Sequence, residues 1–218
     1  MSRKLYAALL PLFAVAAFAV LPAVAQAQPH WYSNGKIIKA GTKVAVTTHS
    51  SPGGLDFKAV GETITCTVKD KGTITNPTGG GAGVDEITEF ENTKCVAEPS
   101  SCAAGETETL TAGNLPWPSV LSGPPGGPFK DTISKIEIKV ECSTKGVIDT
   151  FTGQLTPTIV NGTTGSLTGC EKGTDTVANF DALGTGSLTD PLGNPGVPSG
   201  KDCIWGPAGD EVITVKNP

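Results

Sequence analysis

The chain has 218 residues and a net charge of −5, with 28 Gly, 17 Pro and only 17% charged residues. Arg3 is its sole arginine, so it has no clustered guanidinium groups to displace counterions or read guanine edges; no nucleic acid partner is expected. Lysine acts only as a point charge and cannot build a bidentate clamp on phosphate or carboxylate.

At the N-terminus Arg3 and Lys4 precede an apolar run from Leu5 to Val20 and the small-residue stretch Ala23-Val24-Ala25-Gln26-Ala27. This pattern reads as a signal peptide, residues 1–27, and predicts a secreted, extracellular or cell-envelope-associated protein. Removal takes away two cations and no acid, moving the net charge from −5 to −7. Beyond Ala27 no apolar stretch approaches the ~18 residues a helix needs to cross a bilayer, so no membrane span is expected in the mature protein. The remaining chain is long enough for one large β domain or two small ones, and its abundant β-branched residues argue against disorder.

Strand-like alternation dominates the chain beyond Ala27. Short strands are predicted at Lys36–Ala40, Thr42–Thr48, Thr63–Val68, Thr73–Asn76, Glu86–Glu91 and Glu108–Thr111, then at Ile136–Cys142, Val147–Phe151, Thr156–Val160 and Glu211–Val215. Ile64, Cys66 and Val68 share one face of their strand, and Ile136, Ile138, Val140 and Cys142 share one face of theirs. Asn34-Gly35, Lys71-Gly72 and Asn161-Gly162 are turn signals. No segment carries a helical stripe of useful length. The expected fold is all-β, an antiparallel, sandwich-like arrangement stapled by disulfides. The Gly/Pro-rich segment 122–128, a loop or linker, divides an N-terminal β region (28–121) from a C-terminal one (129–218), with 28–218 as a single domain the alternative.

All six cysteines lie in the exported part. In an oxidising compartment an even count reads as three disulfides. The preferred pairing is Cys95–Cys102 as a local loop, Cys66–Cys142 between inward-facing strand positions, and Cys170–Cys203 closing the C-terminal region. The second choice is Cys66–Cys95, Cys142–Cys170 and Cys102–Cys203. No close cysteine pair suits zinc, and only His30 and His49 could assist.

The residues that could carry chemistry are few. Gly80-Gly81-Ala82-Gly83-Val84-Asp85-Glu86-Ile87-Thr88 fits the calcium-binding nonapeptide of β-roll proteins, but one copy supplies only part of a coordination shell, so a glycine loop leading into a strand is the preferred reading of Asp85 and no metal or cofactor is expected. His49-Ser50-Ser51 near Asp56 does not make a triad, because adjacent residues of an extended chain point opposite ways. Asp85, Glu86, Glu89 and Glu91 are the densest acids, readable as solvated outer-face charges. Trp31, Trp117 and Trp205 are the possible ligand-contacting aromatics.

The run Pro29–Lys36, the loop Asn76–Thr88 and Leu115-Pro116-Trp117-Pro118 together resemble a group of secreted proteins of soil actinobacteria that carry no assigned function. The resemblance brings no catalytic residues, and it implies that Cys170 and Cys203 form a separate, optional pair. With no nucleophile elbow and no metal-ligand spacing, the expected function is a non-catalytic secreted or cell-surface binding or structural β protein with a protein or glycan partner. The alternatives are a glycosidase-like hydrolase using paired carboxylates and a carbohydrate-binding module.

Overall fold

A computed structural model describes residues 27–59, 61–162, 170, 176–181, 184–206 and 211–218. The expected signal segment up to Gln26 lies outside the described residues. The strands in chain order are β1 (His30–Ser33), β2 (Lys36–Ile37), β3 (Val44–Ala59), β4 (Glu62–Thr75), β5 (Val84–Glu98), β6 (Glu108–Gly113) and β7 (Trp117–Ser122), then β8 (Phe129–Cys142), β9 (Gly146–Leu155), β10 (Thr158–Val160), β11 (Thr176–Phe180), β12 (Leu188–Thr189), β13 (Pro195–Trp205) and β14 (Ile213–Lys216). The expected all-β, antiparallel, disulfide-stapled class holds; every strand pair is antiparallel.

The large sheet returns to its starting strand. Its hydrogen-bonded order runs β3-β4-β5-β7-β8-β9-β12-β13, and β13 pairs back onto β3. That closure satisfies backbone groups a free edge would leave open. Two predicted strands, Thr63–Val68 and Thr73–Asn76, fall on one long β4, which ends at Thr75. The predicted turn Lys71-Gly72 is a bulge within it, where the β4–β5 register shifts. Glycine is required there because a Cβ on Gly72 would meet the Glu86 carbonyl oxygen at 2.2 Å. The segment 122–128 joins β7 to β8, whose ends pair Ser122 with Lys130.

Alternation sets the inner face. On β4 the buried residues are Glu62, Ile64, Cys66, Val68 and Asp70, then Ile74 beyond the bulge. On β8 the buried positions Phe129, Asp131 and Ile133 change phase to Ile136, Ile138, Val140 and Cys142, across a bulge where Lys135 has a φ of +60°. Two apolar clusters result. One holds Phe57, Ile64, Val68, Trp117, Ile138 and Phe151, with Phe57 and Phe151 edge to face at 5.2 Å. The other holds Trp31, Ile74, Leu121, Phe129, Ile213 and Val215.

The second cluster is completed by a three-stranded sheet, β14-β1-β2, which two asparagines tie to the barrel. Asn76 accepts from Trp31 N at 2.9 Å and donates to Trp31 O at 2.9 Å and Ile38 O at 2.8 Å. Asn161 accepts from Val215 N at 2.7 Å and donates to Val215 O at 2.6 Å. Each amide thus acts as a stand-in strand residue, meeting backbone groups that burial would otherwise leave unpaired.

The disulfides are Cys66–Cys95, Cys102–Cys142 and Cys170–Cys203. The preferred pairs Cys95–Cys102 and Cys66–Cys142 are therefore corrected, while Cys170–Cys203 is present and Cys66–Cys95 comes from the second choice. Cys66 and Cys142 do face inward, at 1% and 2% exposure, but β5 and β7 separate their strands. A bulge in β5, with Lys94 at a φ of +53°, instead sets Cys95 beside Cys66 on the adjacent strand. Cys142 ends β8 opposite Glu108, the first residue of β6, close to the loop that carries Cys102.

Candidate functional site

Between the two apolar clusters the barrel wall turns aspartates inward. Asp70 lies two residues beyond Val68 of one cluster on β4, and Asp131 lies between Phe129 and Ile133, one from each cluster. On β7, Ser119 lies between Trp117 and Leu121 in the same way, and it pairs in register with Asp85 of β5. Asp202 of β13 precedes the cluster residue Ile204. Asp70, Asp131 and Asp202 are 8%, 7% and 5% exposed, and Asp85 is half-buried. All four line one interior cavity of about 60 Å³. A second, almost wholly apolar cavity of about 80 Å³ adjoins it and shares Asp70, Ile87, Ile133 and Phe180.

The four carboxyls form two pairs. In the first, the Ser119 hydroxyl donates to Asp85 Oδ1. Desolvation pushes Asp85 up to about 6, against the Ser119 and Asp131 hydrogen bonds. Asp131 is raised well above the carboxylate range by desolvation and then by the Asp85 charge. A proton held on Asp131 and shared with Asp85 accounts for both directions. In the second pair, desolvation and then the Asp202 charge raise Asp70 well above its ordinary value. Desolvation pushes Asp202 up to about 7, while the Thr48 hydroxyl works in the opposite sense on both. Asp70 Oδ1, Asp131 Oδ1 and Asp202 Oδ1 have no hydrogen-bond partner among the described residues, which for a charged oxygen costs several kcal/mol on an order-of-magnitude basis and favours the neutral acid.

A third acid pair sits where β4 and β6 meet the loop before β6. Ser101 N donates to Glu62 Oε2 and to Glu108 Oε2, each at 3.1 Å, and the Ser101 and Ser100 hydroxyls add bonds of 2.6 Å and 2.7 Å. Desolvation raises Glu62, and the Glu108 charge adds to it. Beside this pair, Cys102, Glu106 and Cys142 bring potential metal ligands together, but both sulfurs are bonded to each other.

The residues singled out in the sequence fall into three groups. Asp85 is corrected from a solvated charge to a member of the interior belt. Glu86 and Glu89 do face outward, paired with Lys43 at 3.0 Å and with Lys71. Trp31 and Trp117 are corrected as candidate ligand contacts, being 1% and 3% exposed: Trp31 is a core residue under the small sheet, and Trp117 donates from Nε1 to Gly113 O at 2.8 Å. Trp205 is half-buried and stacks on His49 at 4.3 Å between centroids. His30 bonds locally to Gln28 O at 2.7 Å.

Asp70, Asp131 and Asp202 were missed. Each lies beside lysine, in Lys69-Asp70-Lys71, Lys130-Asp131 and Lys201-Asp202, which reads as surface charge. The usable signal was phase: Asp70 continues the series Ile64, Cys66, Val68, and Asp131 shares a face with Phe129 and Ile133. No helix among the described residues is long and apolar enough to cross a membrane. No family model, no curated protein and no solved structure matches this chain.

Proposed function

We propose that the mature chain is a non-catalytic, secreted or cell-surface β protein acting as a binding or structural module. The observation that carries this reading is where the convergent acids lie. A carboxylate pair that cleaves glycosides flanks its bond with room for a sugar and a water, whereas the two aspartate pairs face a cavity of about 60 Å³ in the barrel interior. The burial of Trp31 and Trp117 likewise removes two of the three aromatics a sugar platform would use.

Partner contact then falls to loops and sheet edges. Among the described residues, the first half of β9 pairs only with β8, because β12 reaches just Thr152 and Gly153. It carries Val147 and Ile148, 49% and 36% exposed, the kind of edge on which another strand can add. The three disulfides suit an extracellular setting. A broad glycosidase and esterase panel on the purified mature chain tests the reading. No turnover is expected; turnover that disappears in Asp131→Asn would replace it with carboxylate catalysis.

A further inference from the structure

Near the interior belt, the described residues of the barrel wall include a seam that no backbone ladder closes. Among the described residues, β5 pairs with β7 only from Val84 to Ile87, and β6 pairs only with β8. Past Ile87, β5 and β6 therefore run side by side without a backbone ladder, bridged by the Asn92 side-chain amide donating to Leu110 O. A surface slot of about 550 Å³ lies along this seam. Phe90 and Leu110 line both that slot and the apolar interior cavity, which Asp70 also lines. Phe90 is the register partner of Asp70 across the β4–β5 ladder. Phe90 and Leu110 thus stand between the surface slot and a cavity that reaches Asp70.

We propose that belt and seam together form a pH-operated latch: the barrel is sealed while its interior carboxyls hold protons and opens along the β5–β6 seam when they lose them. Among the described residues lining the belt's cavity, Lys71 is the one cation, and it is paired with Glu89. Asp70 faces Asp202 of β13 and Thr48 of β3, and Asp131 faces Asp85 of β5 and Ser119 of β7. Lys69 and Lys130 adjoin the belt in sequence, and alternation places them on the other face of their strands. Lys71 and Lys43, at the rim, pair with Glu89 and Glu86, and His49 stacks on Trp205. Deprotonation therefore leaves like charges close together in a desolvated space, and admitting water relieves them. The wall should give where fewest backbone bonds must break, which is the seam.

Hydrogen exchange of the full mature chain, corrected for intrinsic rates and read by mass spectrometry, tests this. Between pH 5 and pH 8, amides of β6 and of β5 residues 88–93 should lose about tenfold or more of their protection, while β4 residues 62–68 change by less than about threefold. Asp202→Asn, and separately Asp131→Asn in case one variant fails to fold, should hold the seam at its acidic protection at pH 8. Equal protection of the seam at both pH values overturns the latch. So does loosening of all strands together, or a pH effect that persists unchanged in the folded variants.

Discussion

Replacing Asp202 by Asn should make the protein more stable at neutral pH and leave its acid stability nearly unchanged. Desolvation lifts the folded-state value of Asp202 from an ordinary 3.8 to about 7. Between those two values the folded state binds more protons than the unfolded state, so stability falls as pH rises. The full contribution is present below the unfolded value and is gone above the folded one. At about 1.4 kcal/mol per pH unit, the interval corresponds to about 4 kcal/mol for this one group, an order-of-magnitude figure because Asp70 titrates with it. An asparagine fills the same space without ionising, so Asp202→Asn should recover a few kcal/mol at pH 8 and almost nothing at pH 4. Urea denaturation at both pH values, comparing midpoints at constant slope, measures it. A wild-type midpoint that rises from pH 4 to pH 8, with the variant following the same curve, would refute the reasoning.

Asn76→Ala strips partners from the Trp31 N–H and from the Trp31 and Ile38 carbonyls, so it should cost about 3 kcal/mol or more and shift Trp31 emission to the red before the barrel melts. Trp117→Ala should cost about 3–5 kcal/mol, visible as a lower melting temperature. Unreduced peptide mapping should recover Cys66–Cys95 and Cys102–Cys142, and reduction should remove about 2–4 kcal/mol per bridge in thermal denaturation; a Cys95–Cys102 peptide would contradict the fold's register.

The β class was legible because alternation survives in long runs such as Ile64–Val68 and Ile136–Cys142, where inward positions stay apolar. Strand lengths were not. Bulges at Lys71/Gly72 and around Lys135 shift the phase within a strand, and a period-two reading stops at each shift. Proline hid β7 and β13, since Pro118 and Pro198 sit inside ladders that sequence rules confine to edges. Disulfide pairing depends on which strands are neighbours, and inward-facing Cys66 and Cys142 carry no mark of the two strands between them. The acid belt escaped for a related reason: a charge beside lysine is normally a solvated charge, and what contradicts that is the phase of Asp70 with Val68 and of Asp131 with Phe129 and Ile133.

The central claim is that the barrel carries its acids inside. Carboxyl carbon shifts of aspartate, followed by NMR across the pH range, test it most directly. The account predicts that Asp85 titrates at about 6 and Asp202 at about 7, with Asp70 and Asp131 also well above the ordinary aspartate range. Four aspartates all titrating near an ordinary value of about 4 in the folded protein would place them in water and contradict it.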